Sequence, residues 1–317
     1  MIAYHHCAYL RRALDSILSQ ETSFSFEVIV CDDCSNDGSE EILLEYARRY
    51  SDIVTIVINE TNLGVSANSL KAWGLAKGKY QMGFEGDDFL IDCHYFQDAI
   101  DYLEAHPEVP CVGAGTVGVD PKGHNPIISQ TKCQLGKYYS FKDYARFGFT
   151  IHGNTLIRRA DIIDCQSKRY QSLKLSVPTM GDVITRCLIY DKGPIYVLPR
   201  YVHAHRSGAE NPTSFSHATE KAIDYTEMYL AITKALEDYF NDGRSYRTLY
   251  LNRVAGVSLN VIMRKTSVSP KDWRKYCVRL SLIDRVRVFI KMVRKCCVII
   301  LRKIAASYSK DVINVEL

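Results

Sequence analysis

Residues 26–39 read FEVIVCDDCSNDGS, and this stretch carries the clearest structural signal in the chain. Its first six residues are mostly apolar and β-branched, which is typical of a short strand buried in a parallel sheet. The segment that follows is rich in turn-forming residues and leads into a predicted helix through Tyr50, with Asp37 and Glu40 as the expected pair at its N-terminus. The stretch therefore predicts one strand–turn–helix unit of an α/β fold.

Strand and helix signals alternate on both sides of this unit. Predicted strands lie at 53–58, 80–84 and 109–112, and predicted helices at 8–20, 66–76 and 93–105. Such alternation predicts an open, mostly parallel sheet covered by helices on both faces. Residues 1–4 resemble the end of a strand, so we expect either that the native chain begins before Met1 or that the first strand is unusually short.

The composition excludes several classes of protein. With 47% hydrophobic and 24% charged residues, the 317-residue chain has enough apolar material for a core and is not disordered, collagen-like or a disulfide scaffold. Its 11 cysteines follow no regular framework, so we expect reduced thiols in a cytosol-facing protein. Cys31 and Cys34 form a C-x-x-C pair, but the sequence contains no second pair, which argues against a zinc or redox site.

The net charge of +4 is unevenly distributed. Residues 271–317 contain 12 Lys/Arg and 4 Asp/Glu, so the rest of the chain has a net charge of −4. A nucleic-acid-binding protein would carry positive charge across its folded face, and this class is therefore excluded. The longest uninterrupted apolar run of the basic tail is Cys296–Leu301, which is too short to span a membrane, so we expect no integral membrane protein.

Two clusters of carboxylates follow predicted strands. Asp32 and Asp33 form one, and Glu85, Asp87 and Asp88 form the other. The carboxyl ends of the strands line the ligand crevice of a doubly wound sheet, and clustered carboxylates repel one another there unless a positive or hydrogen-bonding group lies among them. A divalent cation with substrate phosphates would meet this need, as would a nucleobase edge and a ribose hydroxyl for the first pair. The other interpretation is that these residues are helix caps and solvated loop charges.

Five segments, in order and at matching spacings, resemble the inverting glycosyltransferases of family 2, which have the GT-A fold. Residues 28–39 resemble the family's IIVxDDgStDgs segment, and Glu85-Gly86-Asp87-Asp88 stands at its metal-binding Asp-x-Asp position. The other segments are Ile2–His5 at the opening motif, Leu14–Gln20 at the first helix, and Asn62–Gly64 with Asn68 at an N-x-G-x-x-x-x-N motif. The resemblance implies a hexosyltransferase-like enzyme of the bacterial cell-surface polysaccharide type, with a UDP-sugar as the expected donor.

The resemblance also implies a nucleoside site at the start of the chain. Ala3 and Tyr4 would pack on the nucleoside and hydrogen-bond it, and Asp32 and Asp33 would read the base and the ribose. The chain departs from the family pattern at His5, where the family usually has Asn.

A metal site is implied at the second cluster. Asp87 would ligate a Mn²⁺ or Mg²⁺ ion that bridges the diphosphate, and Glu85, where the family usually has Asp, would lie near the ribose or the water shell of the metal. The metal would stabilise the negative charge of the departing nucleoside diphosphate.

An inverting transferase also needs a general base that takes a proton from the acceptor hydroxyl. The family places an acidic residue at the start of a helix in the second half of the domain, after an acceptor-site loop. Asp182, within residues 180–186 (MGDVITR), fits this position. The chain has Gly-Asp where the family often has Glu-Asp or Asp-Trp, and the alternative is that Asp182 only caps the helix.

Residues 201–208 (YVHAHRSG) resemble the family's closing loop, Y-R-x-H-x-x-G. The resemblance implies that His205 and Arg206 reach the diphosphate and support its departing charge. A His-x-His pair also invites a zinc interpretation, but no third and fourth ligands with suitable spacing accompany it. Surface histidines without a ligand are the remaining interpretation.

Two rival functions stay open at this point. A nucleotidyltransferase can share a similar nucleotide-binding half, but the sequence lacks the Gly-rich, Arg/Lys-bearing loop that clamps a triphosphate. A degenerate transferase domain could act as a membrane-bound scaffold in a glycan-assembly complex, although the retained Asp87 and Asp182 argue against it.

We expect four parts along the chain: a nucleotide-sugar-binding half at 1–113, an acceptor-binding half at 114–215, with strands at 151–158 and 195–202, a helical extension at 216–270 and a basic amphipathic tail at 271–317. A helix from Asp284 to Ile304 would place basic residues along one arc and apolar residues opposite. The basic residues are Arg287, Lys291, Arg294, Lys295 and Arg302, and the apolar ones Val286, Phe289, Ile290, Val293, Cys297, Ile300 and Ile304. Such a helix predicts a cytoplasmic protein that is peripheral on the inner face of the membrane, bound to anionic lipid, where lipid-linked acceptors lie. The alternative is an ordinary helix packed on the protein with its basic stripe in solvent.

Overall fold

The computed structural model describes residues 1–124, 126–129, 134–147, 151–177, 181–206, 222–263 and 268–308. The chain forms two compact units, Met1–Asn211 and Pro212–Asn314. Hydrophobic clusters lie within each unit. The division into four parts stays a prediction.

The first unit begins with a parallel three-stranded sheet in the order β1–β2–β3. The strands are β1 (Ile2–Ala3), β2 (Val28–Asp32) and β3 (Val54–Ile58), and the helices that follow them are α1 (Cys7–Leu18), α2 (Ser39–Arg49) and α3 (Val65–Leu75). All five residues of β2 are buried, as its β-branched sequence predicts. The α/β prediction is confirmed for this part of the chain.

The predicted N-cap pair of α2 is wrong. The helix starts at Ser39 and its N-cap is Gly38, whose φ of +92° lies in the region that favours glycine. Asp37 instead accepts hydrogen bonds from the backbone N–H and hydroxyl of Ser39 and from the backbone N–H of Cys7. It ties the start of α2 to the start of α1, a contact across 30 residues that a local pattern does not reveal.

A second, mixed sheet of seven strands completes the first unit. Its order is β4–β9–β6–β10–β5, with β7 beside β6 and β8 beside β10. The strands are β4 (Tyr80–Met82), β5 (Phe89–Leu90), β6 (Cys111–Val119), β7 (Pro126–Ser129), β8 (Lys137–Tyr139), β9 (Ile157–Arg159) and β10 (Ile195–Arg206). The helices are α4 (Tyr95–Ala105), α5 (Phe141–Phe147), α6 (Lys168–Leu175) and α7 (Gly181–Lys192). Strands β6 and β10 run parallel and the other described pairs of this sheet are antiparallel, so the sheet is less parallel than predicted.

The two sheets meet where β1 lies beside the segment that follows β4. Ile2 forms a parallel bridge with Glu85, its N–H donates to the Phe84 carbonyl, and its own carbonyl accepts from the N–H of Gly86. This pairing sets the acidic strand end beside the first strand of the parallel sheet.

Two predicted boundaries in the second half are wrong. The strand predicted at 151–158 is a short 3₁₀ helix at Gly153–Thr155 followed by β9. Strand β10 continues past its predicted end at Val202 and includes residues 201–206 of the expected closing loop, because His203 pairs with Leu90 of β5 and with Thr116 of β6. His203 and Arg206 are buried in this extension, and hydrophobic patterning does not predict a strand that buries such polar residues.

The described residues of the second unit form helices α8 (Ala222–Phe240), α9 (Arg247–Ile262), α10 (Pro270–Val278) and α11 (Leu282–Tyr308). Its core includes Val254, Trp273 and Val288. Helices α8 and α9 lie within the helical extension expected at 216–270, and α11 contains the helix expected from Asp284 to Ile304, whereas α10 was not predicted. Its start has the usual signals, since Ser269 caps the N–H of Asp272 and Pro270 takes the first turn. Within the described residues, no helix has the length and apolarity needed to cross a bilayer.

The orientation of α11 corrects the predicted wheel. Lys291 Nζ donates to Thr248 Oγ1 (3.0 Å) and Asn252 Oδ1 (2.8 Å) of α9, and Lys295 Nζ donates to the Asn252 carbonyl (3.0 Å). Part of the basic stripe therefore lies against α9 rather than in solvent. The apolar residues Val286, Phe289, Ile290 and Val293 are exposed, with Phe289 65% exposed, and so are the basic residues Arg287 and Arg294. The side chains of Ile300, Arg302 and Ile304 lie outside the described residues.

Candidate active site

Three carboxylates crowd together at the strand end after β4. Oxygen atoms of Glu85, Asp87 and Asp88 lie within 4.8 Å of one another. Gly86 lets the turn that gathers them pack closely against α1, because a Cβ there would lie 3.0 Å from His6 Nδ1 and 3.1 Å from Leu10 Cδ2. The predicted cluster is therefore a compact group of oxygen atoms.

Asp88 is the member of this group that the protein itself neutralises. It is fully buried, and it accepts hydrogen bonds from Asn154 Nδ2 (2.8 Å) and from the backbone N–H of Arg206 (3.1 Å). His203 Nε2 and His205 Nδ1 lie 3.1 and 3.2 Å from its Oδ2. Burial alone would raise the pKa of Asp88, but the two imidazoles hold that pKa well below its ordinary value. Asp88 is thus an ionised anchor that joins β10 to the strand end.

Glu85 and Asp87 experience the repulsion within the cluster. Asp87 is partly buried, and its removal from water followed by the charge of Asp88 raises its pKa. The side chain of Glu85 is exposed, yet the protein around it and then the charges of Asp87 and Asp88 raise its pKa as well. Hard oxygen atoms that converge and repel one another fit a divalent cation, which would take several oxygen ligands and relieve the repulsion.

His205 brings positive charge to the same cluster. Burial lowers its pKa, but the hydrogen bond and the charge of Asp88 outweigh burial and raise the pKa to about 8. The ring of His152 lies 4.8 Å from that of His205, and Asp88, His152 and His205 form a second described group whose ligand atoms lie within 4.8 Å of one another. The sequence interpretation found no third partner for the His-x-His pair because His152 lies on another segment, 51 residues before His203.

Arg206 supports the turn that follows β4. Its guanidinium lies over the rings of Tyr9 and Phe89, at 4.9 and 4.8 Å, and Nη1 donates to the Asp87 carbonyl. The side chain is buried. The positive charge of Arg206 is therefore directed at the backbone of the turn that carries Asp87.

Asp32 and Asp33 lie at the end of β2 and are 0% and 3% exposed. Asp32 accepts hydrogen bonds from the backbone N–H and hydroxyl of Ser35 (2.8 and 2.6 Å). Asp33 accepts from the N–H groups of Leu63 (2.8 Å) and Gly64 (2.9 Å) and from Asn59 Nδ2 (3.0 Å). Both carboxylates thus hold loops of the protein, and their reading of a nucleoside stays a prediction.

The opening motif lies directly beside these aspartates. The carbonyl of buried Ala3 accepts a hydrogen bond from the N–H of Asp33, and the ring of partly buried Tyr4 lies 4.1 Å from that of His5. His5 has a φ of +56°. Asn and His are among the few side chains that tolerate this left-handed region, which explains why His can stand where the family usually has Asn.

Asp182 occupies the first turn of α7, and its side chain is 45% exposed. Its charge contributes to the raised pKa of Glu85, so the two carboxylates are close enough to interact electrostatically. Nη1 of buried Arg186 lies 3.8 Å from Asp182 Oδ2. Met180 and the expected acceptor-site loop before it lie outside the described residues. An exposed carboxylate near the acidic strand end can take a proton from a group bound between them.

Sequence reasoning missed several residues of this site, among them Asn154, His152, His6 and Arg186. His6 Nε2 lies 3.9 Å from Asp87 Oδ2, and Asn154 bonds Asp88 across 66 residues. Their sequence surroundings contain no motif that marks them. Arg186 is the exception, because its position one helical turn after Asp182 is a local signal in the sequence.

A family model described as "Glycosyl transferase family 2" matches residues 1–165. An uncharacterized glycosyltransferase of Haemophilus influenzae is 31% identical over 311 residues, which cover 92% of this chain and 97% of that protein. An uncharacterized protein of Mycobacterium tuberculosis, Rv1520, is 39% identical over 107 residues, which cover 34% of this chain and 31% of that protein. The match thus spans about a third of the length of the mycobacterial relative.

Among solved structures, the crystal structure of Staphylococcus aureus TarS 1–349 in complex with UDP-GlcNAc resembles this chain with a TM-score of 0.58 at 18% sequence identity. The superposition covers 90% of this chain and 78% of that one. This likeness concerns the fold, and it confirms the expected architecture of a GT-A-like domain with a helical C-terminal region.

Proposed function

The chain belongs to glycosyl transferase family 2, a family of transferase enzymes, and we propose that it moves a sugar from a nucleotide-diphosphate sugar to a hydroxyl of a glycan or a lipid-linked acceptor. The observation that carries this proposal is the exposed carboxylate of Asp182, whose charge acts on Glu85 in the crowded group of carboxylates after β4. Inverting transfer needs a proton acceptor on one side of the anomeric carbon and stabilisation of the leaving diphosphate on the other.

Asp87, with Glu85 beside it, is the group that would hold a divalent cation. Bound Mn²⁺ or Mg²⁺ would stabilise the negative charge on the leaving diphosphate. Asp88 is less suited to this role, because Asn154, His205 and the backbone N–H of Arg206 already form hydrogen bonds with its oxygens. Its role is to fix the turn on which Asp87 lies.

His205 and Arg206 divide the role that the sequence analysis gave them jointly. His205 is partly exposed and has a raised pKa, so it would bring positive charge close to the diphosphate. Arg206 is buried and bonds the Asp87 carbonyl, which makes it a support for the cation-binding residue rather than a ligand of the diphosphate.

Asp182 would act as the general base. As the acceptor oxygen bonds to the anomeric carbon, the bond from that carbon to the diphosphate oxygen breaks and the hydroxyl proton passes to Asp182. A single displacement of this kind inverts the anomeric configuration. Loss of a general base costs about 10²–10⁴-fold in rate.

The nucleoside would lie against Tyr4 and Ala3 at the end of β1. Asp32 and Asp33 form the floor beside them, and their first task is to hold the Ser35 turn and the Leu63–Gly64 loop in place. A base or ribose would share carboxylate oxygens that already accept hydrogen bonds from the protein, since each such oxygen can accept more than one.

The direct test is donor turnover by the full-length chain. UDP-sugars come first in a nucleotide-sugar panel because TarS, which has the same fold, was solved with UDP-GlcNAc. We expect hydrolysis or transfer with one donor that depends on Mn²⁺ or Mg²⁺. A scaffold would turn over no donor, and a nucleotidyltransferase would instead release pyrophosphate from a nucleoside triphosphate.

The base assignment is tested by Asp182→Asn. Donor binding should stay nearly unchanged while turnover falls by about 10²–10⁴-fold. Asp191→Asn, at the other end of the same helix, is the matched control and should keep wild-type turnover. A D182N enzyme that binds donor poorly but turns over normally at saturation would contradict the assignment.

We further propose that the enzyme works at an anionic membrane surface through α11. Val286, Phe289, Ile290 and Val293 form an exposed apolar row, and the exposed Arg287 and Arg294 lie along one edge of it. The row would enter the interface while each arginine adds about 1 kcal/mol at an anionic surface. The inner face of the cytoplasmic membrane is the expected location.

Deleting the tail is a poor test of this interaction, because Val288 of α11 belongs to the core of the second unit. Replacing Val286, Phe289 and Val293 together with Ser leaves that core in place. Binding to vesicles of phosphatidylglycerol should be lost while donor hydrolysis is kept, and Leu44→Ser, at an exposed position of α2, should change neither. Equal vesicle binding by the triple variant and the wild type at low salt would contradict the proposal.

A further inference from the structure

Lys174 is a buried lysine close to the proposed base. It lies in the last turn of α6 and is 4% exposed. Its Nζ donates to the carbonyl of Gly181 (2.8 Å), the first residue of α7, and to Thr185 Oγ1 (3.2 Å) one turn later. Thr185 Oγ1 also donates to the Gly181 carbonyl (3.0 Å), so the three groups form a closed network around the first turn of α7.

The end of the Lys174 side chain occupies the space that a Cβ on residue 181 would take. A Cβ on residue 181 would lie 2.5 Å from both Cε and Nζ of Lys174, so a side chain at 181 would displace the lysine. Gly181 is not needed for its backbone conformation, since its φ is not in the left-handed region. The departure from the family pattern before Asp182 is therefore linked to a lysine on the preceding helix.

The electrostatics of Lys174 involve the same carboxylate. Burial lowers the pKa of Lys174 to about 8, and the charges of Asp182 and Cys165 act in the opposite direction, whereas Arg158 adds to the lowering. An ammonium group is costly to bury without a negative partner. Arg186, which lies on α7 with Asp182, is also buried. Two buried cations, Lys174 and Arg186, therefore act on the exposed Asp182 carboxylate.

We propose that Lys174 is a positioning residue of the transfer reaction, which holds the first turn of α7 so that Asp182 faces the acidic strand end. The inference rests on the proposed role of Asp182 as general base. Lys174 touches neither the strand end nor the opening motif in the described contacts, so its effect should reach the reaction through Asp182. A displacement of about 1 Å in a catalytic group can cost on the order of 10²-fold in rate.

The test uses Lys174→Met, which keeps an unbranched side chain one atom shorter and removes its donor and charge. We expect kcat to fall by about 10–10²-fold with the donor KM within twofold of wild type. Lys192→Met is the matched control, because Lys192 lies in the last turn of α7 and is exposed, and it should keep wild-type kcat. A K174M enzyme with wild-type kcat overturns the proposal.

A double variant separates positioning from a general structural effect. If Lys174 acts through Asp182, K174M should slow the D182N enzyme no further. A fall of the same factor in both backgrounds shows an independent effect and overturns the proposal. D182N with wild-type turnover overturns the base assignment and this inference with it, whereas a slow D182N and a normal K174M overturn this inference alone.

Gly181→Ala decides the question should K174M fail to fold. The new Cβ forces Lys174 away from the Gly181 carbonyl while the buried charge is kept. We expect a reduced kcat with an unchanged donor KM. Unchanged kcat in folded G181A overturns the proposal.

Discussion

Two acidic strand ends of this molecule are alike in sequence and opposite in physical character. Asp32 and Asp33 end β2 and are buried, and every oxygen of the pair accepts a hydrogen bond from the protein. Glu85 and Asp87 follow β4 and have raised pKa values, because the surrounding protein removes them from water and because they lie among other carboxylates. A carboxylate whose oxygens accept hydrogen bonds from the protein stabilises the fold. A carboxylate surrounded by other carboxylates is suited to a ligand that brings positive charge.

Asp88 shows that the distinction depends on partners rather than on position. It lies one residue after Asp87, yet its bonds to Asn154 and to the N–H of Arg206 make it resemble Asp33. We therefore propose that the adjacent residues have different tasks: Asp87 would bind the cation, and Asp88 anchors the turn.

The largest effect is expected at the crowded strand end. Asp87→Asn should remove the proposed cation ligand and raise the activation barrier by several kcal/mol, because a bound metal would supply that much charge stabilisation. Turnover should then fall on the order of 10³-fold. Mn²⁺ should raise the melting temperature of the wild type and not that of D87N, since a ligand stabilises only the chain that binds it. Full activity of D87N in excess chelator would contradict the division between the two strand ends.

The sequence predicted the location of both strand ends because local signals place them. The buried pattern of β2 and the apolar face of α1, formed by Leu10, Ala13, Leu14 and Ile17, depend on residues close together in the chain. The resemblance to family 2 then singled out Asp87 and Asp182.

What the sequence could not predict is which carboxylates are already satisfied. The donors to Asp33 come from Leu63 and Gly64, about 30 residues away, and the imidazoles near Asp88 come from β10, more than 110 residues away. Strand β10 was predicted to stop before them, because buried polar residues such as His203 break the hydrophobic pattern. Long-range hydrogen bonds of this kind leave no periodic signal in the sequence.

A smaller effect is expected from the same substitution at the satisfied strand end. Asp33→Asn turns an NH₂ group toward donors such as the Gly64 N–H and should lower the free energy of unfolding by about 1–3 kcal/mol, the cost of leaving a buried donor without a partner. Asp87→Asn removes like-charge repulsion and should not destabilise the metal-free chain. Urea unfolding of both variants at pH 7 makes the comparison, and equal destabilisation would show that the two strand ends do not differ as we infer.

The smallest effect should be the pH dependence of stability at the crowded end. Because the pKa of Glu85 is raised in the folded chain, the folded state binds more protons than the unfolded state between the two pKa values, and stability falls as pH rises through that window. Glu85→Gln removes this charge, so the metal-free variant should gain stability over wild type at pH 8 and gain little near pH 4. The gain should stay below about 1 kcal/mol because the side chain is exposed and its charge is screened by water.

Asp88→Asn should show the opposite sign, since the lowered pKa of Asp88 contributes stability that is present at neutral pH and lost as the pH falls. Thermal unfolding of E85Q and D88N between pH 4 and pH 8 measures these opposite changes in stability. A stability gain for E85Q that is equal at pH 4 and pH 8 would show that the pKa of Glu85 is not raised in the folded chain.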